Sequence, residues 1–293
     1  MNESEELEIE EWVNSSPPER KDFRRAIHII LHAISQSDYL RPLMVMKGGI
    51  LMAVRYKSSR YTEDVDFSTS EKYSDIDDKE FKIEIESALS IACDEIPYNI
   101  VCQLQTFKSQ PKDAKNASFP SLKLTIGYCN RKDESSMRRL ERGEAVKVVS
   151  VDYSFNEDTH ELDELYISDD DHLGVYSYNE VIAEKLRSIL QQKSRKRNRR
   201  QDVYDIYYLL TDCAEPSEEE GFSILRILKE KSKGRLEEGE VNRMAMRDPE
   251  IVERSKKEYE FMEEEVEGDL PEFYVAFEKV KNFYESLPWE FVE

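Results

Sequence analysis

Histidine and cysteine are scarce in this chain: four of each in 293 residues, and neither is grouped. Cys93, Cys102, Cys129 and Cys213 form no CxxC pair, and no histidine stands at zinc-ligand spacing from them. That argues against a structural zinc site. Dispersed cysteines fit a reducing cytoplasm, the expected location. Histidine-based nucleophilic catalysis lacks its constellation. No apolar run approaches the ~20 residues that a membrane helix needs. The acidic start MNESEELEIEEW has neither the pattern of a secretory signal nor that of a transit peptide. Positive charge is in deficit as well: 42 basic residues face 63 acidic ones, a net charge of −21. Apolar content is modest, but 16 Tyr and 12 Phe argue for a folded chain. The length suits one large domain or two ordinary ones with an ample core.

Against this background one stretch carries most of the chemistry. KGGILMAVRYKSSRYTEDVDF opens on Lys47-Gly48-Gly49 and closes on Asp64 and Asp66. DVDFS reads as a strand, on which positions two apart share a face, roughly 7 Å apart. Two carboxylates so placed can share hard divalent cations, which prefer oxygen ligands and take some of them from substrate phosphates. Without a metal, like charges perturb each other's ionisation. The same pair also suits a solvated acidic turn. Upstream, Leu43 to Met46 reads as a short buried strand and Ile50 to Tyr56 as a helix, with the two glycines between. Strand, glycines, helix is an arrangement that can handle phosphate, because glycine lets backbone approach a ligand and a helix start offers unpaired N–H groups. It is equally an ordinary tight turn.

Around this stretch the chain reads as follows. Residues before about Ser16 read as a frayed arm, and Ser16-Pro17-Pro18-Glu19 as a helix start. Phe23, Ala26, Ile27, Ile30, Leu31 and Ile34 form one helical face, ended by Asp38 and Pro42. Asp75 to Asp78 begins a helix buried through Phe81, Ile85, Ala88, Leu89 and Ala92. Ile100 to Phe107 and Leu122 to Tyr128 read as strands, and Met137 to Gly143 as a short basic turn. Val146 to Phe155 is a strand with Val149, Val151 and Tyr153 on one side and Val148, Ser150, Asp152 and Ser154 on the other. Asp152 is costly in such a strand unless paired. It is either a third carboxylate beside Asp64 and Asp66 or a strand-edge Asp with a hydrogen-bond partner. Glu157 to Asp171 is an acidic loop with one candidate strand, Leu165 to Ile167.

From Tyr176 onward only helical periodicity remains. Val181, Ile182, Lys185, Leu186, Ile189 and Leu190 lie on one helix. From Lys185 to Gln201 there are eight basic residues and no acid. Such a strip is the footprint of a phosphate-bearing partner, or a solvated helix end suited to the dipole. Asp202 and Asp205 share a face of the next helix, where they can cap it or pair with the preceding arginines. Ser217 to Lys231, Glu238 to Met246, Pro249 to Val266 and Pro271 to Ser286 read as further helices, and the Glu runs at 218–220 and 263–265 as solvated faces.

In order, the chain presents Lys47-Gly48-Gly49, then Arg60-Tyr61-Thr62-Glu63-Asp64-Val65-Asp66-Phe67, then Glu184-Lys185-Leu186, then Arg199-Arg200-Gln201-Asp202-Val203-Tyr204-Asp205-Ile206. As a set, over roughly residues 40 to 212, these resemble the motifs of the AbiEii/AbiGii family of nucleotidyltransferase toxins, which includes the MenT toxins. That family is a distant branch of the DNA polymerase beta nucleotidyltransferase superfamily. Gly48-Gly49 stands where the wider superfamily usually has Gly-Ser, and Gln201 stands where a basic residue is common. The acidic stretch after residue 212 matches no pattern of the family.

The resemblance implies an α+β fold: a nucleotidyltransferase core with a mixed β-sheet flanked by helices over 1–175, then an all-helical region with an acidic extension over 176–293. It implies transfer of NMP from an NTP to an acceptor, with RNA such as tRNA expected, as a cytoplasmic toxin or phage-defence protein with a possible cognate antitoxin and no membrane. Asp64, Asp66 and Asp152 would hold Mg2+ or Mn2+, and together with Lys185 and Asp202 would form the catalytic set. Lys47, Gly48, Gly49, Arg60, Thr62 and Lys185 would contact the nucleotide. Asp205 would brace Arg199 or a helix end. Lys193, Arg195, Arg197, Arg199 and Arg200 would attract the acceptor. Asp152 and Lys185 are expected to converge with Asp64 and Asp66 on one cleft. Two other functions remain open: a small-molecule enzyme modifying a cationic aminoglycoside, which the −21 charge favours, and an inactive nucleotide- or protein-binding module.

Overall fold

The computed structural model describes residues 7–237 and 239–291. The chain divides into two compact units. One runs through Lys57 and resumes over Thr62–Val175; the other comprises Ser58–Tyr61 and the chain from Tyr176 onward.

The first unit is built on a mixed sheet, seven-stranded among the described residues. Its strands are β1 (Val45–Lys47), β2 (Asp64–Ser68), β3 (Ile100–Gln110), β4 (Ser121–Asn130), β5 (Val148–Ser154), β6 (Leu162–Tyr166) and β7 (His172–Tyr176), in the order β3-β4-β5-β2-β1-β7-β6. Strand alternation decides which residues are buried. Val65, Phe67, Leu122, Leu124, Ile126, Val149, Val151 and Tyr153 turn to one face and are wholly or almost wholly inaccessible. Helices α2 (Lys21–Gln36) and α4 (Asp78–Glu95) lie against that face, where Phe81 of α4 stacks on Tyr153 at 5.6 Å between ring centres. α4 is capped by Asp77, whose carboxylate accepts from the N–H groups of Lys79 and Glu80.

Several expectations are corrected. The first six residues of the expected frayed arm lie outside the described residues. The next part is a helix, α1 (Glu8–Asn14), seated through buried Ile9 and Val13. Strand β1 begins at Val45, two residues later than expected, and helix α3 (Gly48–Arg55) begins on the glycines themselves. The basic turn after β4 is a helix, α5 (Glu134–Glu141), started by Asp133 accepting from Ser135 and Ser136. Strand β7 was not expected, and the strand expected at 165–167 is β6, ending at Tyr166.

The second unit is helical: α6 (Tyr178–Leu190), α7 (Gln192–Arg195), α8 (Arg200–Asp212), α9 (Glu218–Ser232), α10 (Pro249–Lys256) and α11 (Phe273–Ser286). Ser217 and Glu220 close a reciprocal capping box at the start of α9. The helix expected over 238–246 does not form; its first residue lies outside the described set. Gly239 has φ +94°, the Asn242 amide donates to the Gly239 carbonyl at 2.6 Å, and Asn242 Oδ1 accepts from Met244 N–H at 2.9 Å. Such side-chain turns compete with helix. The expected helix 249–266 breaks at Glu258, which sits at φ +63°, and resumes as a 3-10 segment, Tyr259–Glu264. Among the described residues no helix is long and apolar enough to cross a membrane.

Candidate active site

The strand register gathers the carboxylates. β2 and β5 run parallel, and Asp66 pairs with Asp152 while Asp64 pairs with Ser150. Partnered residues on neighbouring strands project to the same face, so Asp64, Asp66 and Asp152 share one. It is the face opposite the apolar side that carries Val151 and Tyr153. β5 lies between β4 and β2, so Asp152 is an interior residue of the sheet and not a strand-edge one. The row continues on both sides: Lys47 of β1 pairs with Asp66, and Lys123 of β4 pairs with Asp152. Two carboxylates are thus flanked by two lysines across four strands. Lys123 Nζ stands 3.9 Å from Asp152 Oδ1. Lys47 is ion-paired with Glu157, a buried carboxylate that sequence reasoning did not single out.

Burial pushes the Asp152 carboxyl above the ordinary carboxylate range; Lys123 pulls it back, and the charge of Asp64 adds to the rise. Asp64 thus acts on Asp152 as a repelling like charge, which a cation between them would relieve. Among the described residues no group of three or more His, Cys, Asp or Glu is placed to hold a metal ion. The three carboxylates therefore share a face without forming a closed protein cage. Mg2+ or Mn2+ suits such an open oxygen set, because Mg2+ usually takes one or two carboxylates, several waters and substrate phosphate oxygens. Ser150 Oγ, beside Asp64 in the register, is inaccessible and has no hydrogen-bond partner among the described residues. The donor chemistry of this face, carboxylate and hydroxyl oxygen, suits a hard divalent ion.

The glycines are fixed by these same side chains. Gly48 has φ +77°, and a Cβ built on it would lie 2.0 Å from Asp66 Oδ2. A Cβ on Gly49 would lie 2.6 Å from Thr62 Oγ1. The start of α3 is thus pressed against Asp66 and Thr62 with no room for a methyl group. Gly48→Ala is expected to abolish activity and to destabilise the fold by about 1–3 kcal/mol, from the left-handed backbone alone. Thermal melts alongside activity assays check this; an unchanged melting temperature would contradict the geometry.

The helical unit holds a second cluster. Asp205 is fully buried, and its two oxygens accept from Arg60 Nε and Nη2 at 2.8 Å each. Lys185 Nζ donates to the same carboxylate at 2.7 Å and lies 3.4 Å from Asp202 Oδ1. Burial alone would raise the Asp205 carboxyl, but Arg60 and Lys185 outweigh it and bring it to about 2. Burial alone would lower the Lys185 ammonium; Asp205 and then Asp202 raise it instead. Two expectations are corrected here. Arg60, expected at the nucleotide, has its guanidinium buried on Asp205. Asp205, expected to brace Arg199 or a helix end, holds Arg60 and Lys185. Arg199 approaches Asp202, at 3.7 Å.

The basic run is in part neutralised by the acidic extension. Lys193 pairs with Asp248 at 2.8 Å, and Arg200 with Glu258 at 3.0 Å and Glu265 at 2.7 Å. Arg195, Lys196 and Arg197 remain exposed. Buried Gln192 shapes the turn between α7 and α8, accepting from Arg199 N–H at 2.8 Å and donating to Ser255 Oγ at 2.8 Å.

Residues 29–286 match the model of the AbiEii family, described as nucleotidyl transferase AbiEii toxin of type IV toxin–antitoxin systems; the match runs past residue 212 through most of the acidic stretch, where no family pattern was expected. Among solved structures, a crystal structure assigned to a nucleotidyltransferase from H. pylori is similar, with a TM-score of 0.50 and 14% identity over 93% of this chain and 96% of that one. No curated protein matches.

Proposed function

The chain belongs to the AbiEii family of nucleotidyl transferase toxins of type IV toxin–antitoxin systems, and from that premise we propose that it transfers NMP from an NTP to an RNA acceptor, tRNA being the first class to test. One observation carries the reading: Asp66 and Asp152 are register partners on one sheet face, with Asp64 two residues from Asp66 and the Gly48 backbone against the Asp66 carboxylate. Nucleotidyl transfer needs little covalent help from a protein; it needs alignment and charge neutralisation.

A bound Mg2+ or Mn2+ would supply the neutralisation of the triphosphate and lower the cost of ionising the acceptor hydroxyl. Asp64, Asp66 and Asp152 would hold it. Asp152, whose carboxyl is raised chiefly by burial, is suited to take the proton of the attacking hydroxyl. Gly48 and Gly49 would present N–H groups to the phosphates, with Thr62 and Lys47 beside them. Lys185, whose ammonium is held by Asp205 and Asp202 in the helical unit, would offer the triphosphate a point charge rather than a fork on exchanging those partners. Asp202 and Asp205 act through Lys185 by fixing its ammonium, and Arg60 acts through Asp205 by holding its carboxylate; all three are positioning residues. Arg195 and Arg197 are the exposed part of the basic run that would meet the acceptor, while Lys193, Arg199 and Arg200 anchor the run to acidic neighbours. Membership in a toxin–antitoxin family implies a cognate antitoxin.

The test is incubation of the purified protein with Mg2+, each labelled NTP in turn, and either total tRNA or a panel of aminoglycosides. Label on RNA, lost on chelation by EDTA, supports the reading. Label on a drug identifies a small-molecule enzyme instead, and label on neither a binding module.

A further inference from the structure

The sheet face that carries the carboxylates extends beyond them. β3 is the edge strand, paired with β4, and its Lys108 is the register partner of Lys123, itself the partner of Asp152. One row therefore crosses five adjacent strands: Lys108, Lys123, Asp152, Asp66 and Lys47. The row beside it carries Thr106, Thr125, Ser150 and Asp64, with the Thr106 and Thr125 hydroxyls 2.9 Å apart. Strands lie about 4.8 Å apart, so Lys108 stands roughly 10 Å from Asp152 along the sheet. Lys108 is exposed and has no ion-pair partner among the described residues, while Lys123 is half-exposed.

Charge sets this hairpin apart. Between Asn99 and Asn130 the chain has four lysines, Lys108, Lys112, Lys115 and Lys123, and a single acid, Asp113. In a chain of net charge −21 this is a local excess of positive charge. Lys112 and Lys115, in the connection between the two strands, are exposed. In the hairpin Lys123 is paired with Asp152 while Lys108, Lys112 and Lys115 are exposed; in the basic run of the helical unit Lys193 and Arg200 are occupied by Asp248, Glu258 and Glu265 while Arg195, Lys196 and Arg197 are exposed.

We propose that the β3–β4 hairpin is the acceptor track of the sheet unit: it binds the phosphodiester backbone of a single-stranded RNA end and leads its terminal hydroxyl to Asp152. The inference rests on the proposed RNA acceptor and deepens it. Phosphate contacts position a strand without reading its sequence. Lysines on the exposed strand, hydroxyl groups beside them and carboxylates at the end of the row place the binding charges apart from the reacting centre. The carboxylates repel phosphate unless a cation covers them, so the strand's backbone is confined to the lysine side and its terminus to the acid side.

The test uses the full chain carrying Asp66→Asn, which retains the hairpin while chemistry is blocked. Binding of a fluorescent single-stranded RNA is followed by anisotropy across a salt series, with NTP binding measured in parallel. Adding Lys108→Ala and Lys123→Ala is expected to weaken RNA binding about tenfold and to reduce the salt slope by about 1.4, two contacts at about 0.7 each. Lys112→Ala with Lys115→Ala, away from the carboxylates, is expected to weaken RNA binding and leave NTP binding unchanged. Unchanged RNA affinity and slope in both variants overturns the acceptor track and leaves the RNA reading standing. Weakened NTP binding with unchanged RNA binding assigns the lysines to the donor and also overturns it. Failure of the parent protein to bind RNA overturns the track together with the RNA reading.

Discussion

Asp66→Asn is expected to reduce nucleotidyl transfer by about a thousandfold or more while leaving the thermal unfolding midpoint within a few degrees of wild type. The loss is large because Asp66 stands in the middle of the carboxylate row. It is the register partner of Asp152 and of Lys47, and its Oδ2 occupies the space where Gly48 would carry a Cβ. An amide there keeps the shape and removes the charge. If the carboxylate holds a divalent cation, the charge lost is worth several kcal/mol of transition-state stabilisation, and each 1.36 kcal/mol is tenfold in rate. The fold is expected to tolerate the change, because Asp66 lies on the open face of the sheet and only half-buried. Single-turnover transfer measured beside circular-dichroism melts checks both halves. A variant retaining a tenth of the activity would remove Asp66 from the mechanism.

The second large effect is on stability. Asp205→Ala is expected to cost about 3–5 kcal/mol, because removing one member of a buried ion pair strands the others. Arg60 and Lys185, whose side chains are 7% and 9% exposed, both depend on Asp205. Chemical denaturation measures the loss; a change under 1 kcal/mol would show that the cluster reorganises around Asp202. The same cluster fixes a pH dependence. Asp205 titrates at about 2 in the folded chain against an ordinary value of 3.8. The folded state favours the ionised form, so its contribution is fully present above about pH 4. It is lost as pH falls through the folded value of about 2. The Asp205→Ala variant should lack that component of acid unfolding.

The strands that carry the sheet carboxylates are legible in the sequence, and the reason is periodicity. DVDFS forms a strand over the expected residues, Asp64–Ser68, and alternation alone puts its two aspartates on one face. The faces of β5 were equally legible from Val149, Val151 and Tyr153. The pairing of Asp66 with Asp152 was not, because register between strands 86 positions apart leaves no trace in either strand's own pattern. Lys123 and Glu157 carry no sequence signal for the same reason: each matters only through a cross-strand or loop partner. In the helical unit, Arg60 and Asp205 are 145 positions apart, and nothing local tells a buried arginine from one reaching for phosphate. The missed helices are those with little apolar surface. α5 buries Leu140 alone, and α1 is seated by Ile9 and Val13 within an acidic stretch. The false helix at 238–246 had favourable composition but contained Gly239 and Asn242, whose turn geometry won locally.

In the proposed reaction the α-phosphate of the donor ends on the acceptor. The most direct measurement is parallel transfer from α-labelled and γ-labelled NTP to RNA in the presence of Mg2+, with pyrophosphate quantified. Nucleotidyl transfer predicts α-label in the RNA, γ-label in pyrophosphate, and one pyrophosphate released per nucleotide added. γ-Label on the RNA, or α-label transfer undiminished in Asp66→Asn, would contradict it.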